Sequence, residues 1–174
     1  MTDERMGDRL WEAIDRLPIK QAGIVFRHYR TSPDTRAPLA ERIADICRHR
    51  NLTLAIARDA DLARMLHADL VHNPSEPLRH IRFSRSVHSL AEAEAAKTDG
   101  VALVFVSPVF PTRSHPDREA LHPPLAVRVA KAAGAPAIAL GGMNAIKFAR
   151  LRREGFYGWA GIDAWLGDDN ALRT

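Results

Sequence analysis

The feature that most constrains this sequence is a regular alternation of short apolar segments with longer amphipathic ones. Seven apolar segments predict strands, over residues 22–26, 52–57, 70–71, 81–83, 101–106, 135–140 and 159–162. Apolar residues at helical spacing predict helices over 8–17, 36–48, 59–66, 90–98, 125–133 and 144–153. Residues 101–106 are apolar throughout, which is typical of a strand in a parallel sheet that is buried on both faces. The alternation therefore predicts an α/β fold.

The number of strands narrows this class to two architectures. Seven strands are one fewer than a TIM barrel needs, and 174 residues are fewer than the roughly 200 that are usual for that fold. The count fits either an open doubly wound sheet or a small (β/α)₈ TIM barrel whose first strand is lacking or truncated. Because no linker or low-complexity tract divides the chain, we predict a single domain over residues 1–174.

Composition excludes several classes of protein. The 25 basic and 21 acidic residues are interspersed and only 6% of residues are aromatic, which argues against a nucleic-acid surface. No apolar run approaches the ~20 residues of a membrane helix, and the polar N-terminal residues are unlike a signal peptide. Cys47 is the only cysteine, so no internal disulfide is expected. We expect a cytoplasmic protein without nucleic-acid or membrane partners; assembly into a homo-oligomer stays open.

The segment after the fifth predicted strand is the first candidate for function. Residues 107–124 contain five of the 11 prolines and a dense set of polar side chains, among them Thr112, Ser114 and His115. Donors that follow the carboxyl end of a parallel strand stand where α/β barrels bind anions. The sequence therefore predicts a binding loop here, with a proline-stiffened surface loop as the alternative.

A glycine pair forms the second candidate. Gly141 and Gly142 follow a predicted strand directly and precede a predicted helix. Glycine lets the backbone approach a ligand closely, and the N–H groups of such a turn can point at an anion. Tight turns use glycine for other reasons as well. The pair predicts a phosphate site because it follows one of the last two strands, where α/β barrels often bind phosphate.

Five segments, taken in order, carry a family resemblance. They are Ile-Val-Phe-Arg-His-Tyr at 24–29, Ala-Asp-Leu-Val-His at 68–72, Ser-Val-His-Ser at 86–89, Val-Phe-Pro-Thr-Arg-Ser-His at 109–115 and Ala-Ile-Ala-Leu-Gly-Gly-Met at 137–143. Together they resemble the thiamine-phosphate synthase and thiazole tautomerase superfamily over nearly the whole chain. The resemblance implies a (β/α)₈ barrel. Residues 2–5 resemble the end of its first strand, so we expect the chain to begin inside that strand.

The resemblance also implies a reaction and a set of residues. It implies a transferase of thiamine biosynthesis whose partners are small phosphorylated heterocycles: an aminopyrimidine methyl diphosphate loses its diphosphate, and the nitrogen of a thiazole phosphate captures the resulting cation to give thiamine phosphate. The catalytic residues implied are Arg27 and His115. The substrate-binding residues implied are Tyr29, Ser86, His88, Thr112, Ser114, Gly141 and Gly142.

The implied cofactor, Mg²⁺, is not matched by the residues at its expected positions. Where the family pattern has Asn-Asp, this sequence has Ala57 and Arg58, and it has Asn-Pro-Ser-Glu at 73–76 where a second Asp is expected. Because Mg²⁺ needs carboxylates in addition to substrate phosphates, we assign no metal ligands. Two alternatives therefore stay open: a non-catalytic, regulatory barrel that binds phosphorylated ligands, and a tautomerase-type isomerase in which His115 or His88 transfers the proton.

Overall fold

Parallel strands alternate with helices along the chain, as the apolar periodicity predicts. The computed structural model describes residues 1–112 and 118–167. Its strands are β1 (Gly23–Phe26), β2 (Thr53–Ala57), β3 (Leu70–His72), β4 (Phe83–Val87), β5 (Leu103–Val106), β6 (Ala137–Leu140) and β7 (Gly158–Ala160). Its helices are α1 (Arg9–Asp15), α2 (Pro33–Arg50), α3 (Ala60–Met65), α4 (Leu90–Thr98), α5 (His122–Ala132) and α6 (Ala145–Arg153), with 3₁₀ turns at Glu4–Met6 and Asp163–Trp165.

The described residues form two units. Unit 1 comprises residues 1–82 and 165–167, and unit 2 comprises residues 83–164. The predicted α/β class is confirmed, whereas the single domain over the whole chain stays a prediction. Among the described residues, none of the helices combines the length and the apolar character that a bilayer crossing requires.

Unit 1 is built on three parallel strands. Strand β1 pairs with β2, with Gly23 opposite Thr53, and β2 pairs with β3, with Ala55 opposite Leu70. Phe26, Ile56 and Val71 are completely buried in these strands. Because the strands run in the same direction, the residues that follow them come together at one edge of the unit.

Unit 2 repeats this arrangement with four parallel strands, β4 to β7. Ser84 lies opposite Leu103, Val104 opposite Ala137, and Ile138 opposite Gly158. The strands bury Val104 and Val106 completely, and α5 buries Val129. The order of these strands in space follows their order in the sequence, as right-handed crossovers through helices produce.

Several boundaries differ from the sequence expectation, and two of these differences have a clear local cause. The strand expected at 81–83 lies at Phe83–Val87, because pairing with β5 extends it through the polar sequence Ser84-Arg85-Ser86, in which an apolar run cannot be recognised. Helix α5 begins at His122 rather than at 125, because Pro123 and Pro124 occupy its first turn. Proline is tolerated there, since the first N–H groups of a helix have no partner within it.

A core substitution in unit 1 tests this packing. Ile56 is completely buried in β2, so Ile56→Ala removes apolar contacts and leaves a cavity. We expect the free energy of unfolding in urea to fall by about 2–5 kcal/mol. Ile19 is 57% exposed, and Ile19→Ala is the matched control, with an expected change within about 0.5 kcal/mol. Equal losses in the two variants would contradict the burial of β2.

Candidate functional site

Two arginines and a tyrosine lie at the carboxyl ends of the unit 1 strands, and we call Arg27, Tyr29 and Arg58 the cationic cluster. Arg27 follows β1 and Arg58 follows β2. The guanidinium carbon of Arg27 lies 5.8 Å from the centroid of the Tyr29 ring, and that of Arg58 lies 4.7 Å from the same centroid. Tyr29 is 41% exposed, so this positively charged group is accessible from solvent.

The N-terminal residues fix the position of Arg27. The backbone N–H of Thr2 donates to the carbonyl of Val25 at 2.9 Å, and the N–H of Arg27 donates to the Thr2 hydroxyl at 3.0 Å. The Arg27 guanidinium lies 3.8 Å from the Asp3 carboxylate. Among the described residues, its buried Nε has no hydrogen-bond acceptor. A buried N–H of this kind is costly unless an acceptor binds to it, so the site favours a ligand that carries an acceptor.

His72 ends β3 beside these charges. The imidazole is buried, and its pKa is lowered to about 3, first by burial and then by the positive charges of Arg27, the N-terminal amino group and Arg58. The carbonyl of His72 accepts the N–H of Arg58 at 2.8 Å, which fixes the turn after β2, where Arg58 has a φ of +64°. At neutral pH His72 is therefore an uncharged polar group at the carboxyl ends of the unit 1 strands.

The carboxylates of this region are bound by donors of the protein itself. Asp59 accepts from Arg36 at 2.7 Å and from the backbone N–H of Leu62 at 2.9 Å, which caps α3. Asp3 accepts from the side chain of Arg5 at 2.7 Å. No three His, Cys, Asp or Glu side chains in the described part of the chain form a group that could hold a metal ion.

A separate cavity in unit 1 does not contribute to this site. It measures about 410 Å³ and is lined by residues at the start of β2 and before β3, including Thr53, His67 and Asp69, so it lies at the amino ends of the strands. Burial raises the pKa of the Cys47 thiol in its wall to about 12, so the thiol is protonated and unreactive at neutral pH.

In unit 2, the glycine pair packs directly against the segment after β5. Gly141 has a φ of +92°, and a Cβ atom there would lie 2.7 Å from Cα of Pro108. Gly142 has a φ of +59°, and its Cβ would lie 2.5 Å from the carbonyl oxygen of Pro111. Both the backbone conformation and the close contact therefore require glycine.

Backbone hydrogen bonds hold the segment after β5 against the glycine turn after β6. Val109 donates its N–H to the carbonyl of Leu140 at 2.9 Å, and Phe110 donates to that of Gly141 at 3.1 Å. The Lys147 ammonium donates to the carbonyl of Gly142 at 3.0 Å and lies 4.9 Å from the centroid of the Phe110 ring. Lys147 therefore places a positive charge beside the glycine turn.

His88 is oriented by the segment after β5. Its Nδ1 lies 2.5 Å from the carbonyl oxygen of Ser107, and Glu92 accepts the backbone N–H of His88 at 2.8 Å while Ser89 caps α4. Because a carbonyl oxygen only accepts, this contact assigns the proton to Nδ1 and leaves Nε2 of the neutral ring as an acceptor. His88 therefore presents Nε2 as a hydrogen-bond acceptor.

The structure places seven of the nine predicted site residues. Arg27 and Tyr29 contact each other in unit 1. In unit 2, Ser86 lies in β4 opposite Phe105, His88 contacts Ser107, and Thr112 follows the segment that packs on Gly141 and Gly142. Ser114 and His115 lie outside the described residues.

Sequence reasoning assigned no binding role to His72, Arg58 or Lys147. Arg58 and His72 each stand at the carboxyl end of an apolar segment, and this position was the signal that could have identified them. Lys147 lies in the first turn of a predicted helix, where a basic residue gives no sign of an anion site. Its contacts with Gly142 and Phe110 depend on tertiary packing.

Comparisons of the sequence with known proteins identify the family of this chain. The model of the thiamine monophosphate synthase family matches residues 2–165. A thiamine-phosphate synthase of Synechococcus is 29% identical over 163 residues, which are 86% of this chain and 46% of that protein. A putative thiamine-phosphate synthase 2 of Aquifex aeolicus is 26% identical over 173 residues, which are 94% of this chain and 93% of that protein. The chain thus spans about half the length of the first relative and nearly all of the second.

A solved structure identifies the fold. The thiamine phosphate pyrophosphorylase from Pyrococcus furiosus superposes with a TM-score of 0.78 at 18% sequence identity, covering 98% of this chain and 87% of that one. This likeness confirms the predicted fold class, α/β of the TIM-barrel type.

The glycine turn gives a prediction with an internal control. Gly141→Ala combines an unfavourable positive φ with a steric clash on Pro108, whereas Gly155→Ala has a φ of +101° and nothing within 4 Å of its Cβ. We expect Gly141→Ala to lower the free energy of unfolding by about 1–3 kcal/mol more than Gly155→Ala, measured in urea. A larger loss in Gly155→Ala would contradict the packing of this turn.

The lowered pKa of His72 predicts a pH dependence of stability. Between its unfolded value of 6.5 and its folded value of about 3, the unfolded chain binds a proton that the folded chain does not. The free energy of unfolding therefore falls as the pH falls, by about 2 kcal/mol from about pH 7 to about pH 5. In urea titrations, we expect the free energy of unfolding of His72→Gln to fall less between about pH 7 and about pH 5 than that of wild type. His49→Gln, at an exposed histidine, is the control and should show the same fall as wild type. Identical slopes for wild type and His72→Gln would refute the assignment.

Proposed function

Because this chain belongs to the thiamine monophosphate synthase family, we propose that it joins an aminopyrimidine methyl diphosphate to a thiazole phosphate and releases diphosphate. The product is thiamine phosphate. The observation that carries the proposal is the cationic cluster, since it concentrates positive charge and an unpartnered buried N–H of Arg27 at the carboxyl ends of the unit 1 strands. This is the edge at which barrels of this class act on their substrates.

The chemistry proposed for Arg27 follows from where charge develops. When the bond between the pyrimidine methyl carbon and the diphosphate oxygen breaks, the electron pair stays on that oxygen, and the methyl carbon becomes cationic. The Arg27 guanidinium is largely buried and already oriented by Asp3 and Thr2, so it stabilises the leaving group without reorganising. The thiazole nitrogen then donates its lone pair to the carbon and completes the new C–N bond.

In unit 2, we assign the thiazole phosphate to the glycine turn. The ammonium of Lys147 and the positive end of α6 lie beside Gly142, and both favour a phosphate group. Thr112 follows the segment that packs on this turn and offers a hydroxyl donor. His88 orders the segment after β5 through its contact with Ser107.

The Mg²⁺ that the family implies does not fit the residues present. A magnesium ion needs oxygen ligands from carboxylates or carbonyls, and the turn after β2 presents an aliphatic side chain and a guanidinium, Ala57 and Arg58. The nearby Asp59 carboxylate is bound by Arg36 and the N-terminus of α3. We therefore derive no step through a metal ion.

The same mismatch favours a second candidate function, a binding protein without turnover. Such a protein would retain the cationic cluster and the glycine turn and would bind thiamine phosphate or its precursors. The two candidates make opposite predictions in one assay, since only the transferase forms diphosphate and thiamine phosphate in equal amounts.

A coupled assay with both phosphorylated precursors tests the transferase. We expect wild-type protein to release diphosphate and thiamine phosphate together, and Arg27→Ala to lower kcat by about 10²-fold or more, because a donor that stabilises the developing charge is lost. Arg27→Lys should retain part of the activity, since it keeps the charge but loses the planar fork. The control is Arg30→Ala, at an exposed arginine three positions further on.

Two results would overturn the proposal. If neither product exceeds background in the presence or absence of Mg²⁺, while titration calorimetry shows binding of thiamine phosphate, the chain is a binding protein. If Arg27→Ala turns over as fast as wild type and Arg30→Ala, Arg27 does not act on the leaving group.

A further inference from the structure

Arg58 stands at the carboxyl end of β2 and is held there by its backbone. Its N–H donates to the carbonyl of His72, and its φ of +64° turns the chain sharply between β2 and α3. The guanidinium then extends over the Tyr29 ring at 4.7 Å from the ring centroid. Both the backbone and the guanidinium of the exposed Arg58 are therefore fixed in position. This favours a role in binding a ligand over that of a solvated surface charge.

The two guanidinium groups of the cationic cluster differ in whether a carboxylate lies near them. Arg27 has the Asp3 carboxylate at 3.8 Å. For Arg58, no carboxylate within residues 1–112 and 118–167 lies within 4.0 Å of its nitrogens. The cluster therefore carries excess positive charge, which also contributes to the lowered pKa of buried His72. Two cations around one ring repel each other unless an anion binds between or beside them.

The two guanidinium groups of this cluster have the formal charge of one divalent cation, and the Asp3 carboxylate beside Arg27 offsets part of it. Two guanidinium groups carry two positive charges, the same as Mg²⁺, and each presents a planar fork of N–H donors that matches two oxygens of a phosphate. The one carboxylate in the turn after β2, that of Asp59, is bound by Arg36 and the Leu62 N–H. The N–H donors of Arg27 and Arg58 are therefore suited to bind a phosphate group directly, without a metal ion between them.

We propose that unit 1 binds a diphosphate group directly through Arg58 and Arg27, without a divalent cation. Arg58 provides on the protein the charge that a metal ion would otherwise supply, and the Tyr29 ring holds the two guanidinium groups in reach of the ligand. This inference rests on the proposed function, because it concerns the diphosphate that the proposed reaction releases.

Titration calorimetry with inorganic pyrophosphate tests the inference on the full chain. In EDTA we expect wild type to bind, and added Mg²⁺ to leave the affinity unchanged or to weaken it, because the metal competes for the ligand. Arg58→Gln should weaken binding about 10- to 100-fold in EDTA, as the loss of charge-assisted hydrogen bonds predicts, and Arg58→Lys should lose less. Arg64→Ala, at an exposed arginine paired with Asp61, is the matched control and should bind like wild type.

The outcomes separate this inference from the proposed function. If wild type binds pyrophosphate only with Mg²⁺, or if Arg58→Gln binds in EDTA as tightly as wild type, the inference is wrong, even if thiamine phosphate is formed. If pyrophosphate binds in EDTA and depends on Arg58, the inference stands, even if the coupled assay shows no product. Circular dichroism of Arg58→Gln and Arg58→Lys shows whether the variants are folded, and the exposed position of Arg58 leads us to expect that they are.

Discussion

Parallel strand pairing is the constraint on which the functional part of each unit depends. In a parallel pair the carboxyl ends lie side by side, so residues that follow different strands meet although they are far apart in the chain. Arg27 follows β1, Arg58 follows β2, and His72 ends β3, and all three interact in unit 1. The same rule in unit 2 brings the segment after β5 onto the glycine turn after β6.

The electrostatics of unit 1 explain why an anion suits it better than a metal ion. Burial and two nearby guanidinium groups keep His72 uncharged, and the carboxylates of Asp59 and Asp3 are bound by arginines. A cation entering this edge would meet positive charge and few free oxygen ligands, whereas a phosphate would meet oriented donors. Membership of the thiamine monophosphate synthase family is the reason for proposing that this anion is a diphosphate.

Much of the fold and part of the candidate site could be predicted from the sequence. The seven strands and six helices follow from apolar runs and helical spacing, and the cap of α4 by Ser89 follows from its position before Glu92. Gly141 and Gly142 were predicted as a special turn, and their contacts with Pro108 and Pro111 show why only glycine fits. Residues 84–87 of β4 were missed because their sequence is mixed in polarity and only pairing with β5 defines them as a strand.

The sequence by itself determined the α/β class, the order of the elements and the absence of carboxylates where the family pattern has them, because periodicity and residue identity are properties of the chain alone. Only the tertiary structure decided that Arg27 and Arg58 share the Tyr29 ring, that Asp59 is bound by Arg36, and that Lys147 lies on the glycine turn. These contacts depend on strand pairing and on side-chain direction. Both are set by the packing of the whole unit, and a local pattern does not encode them.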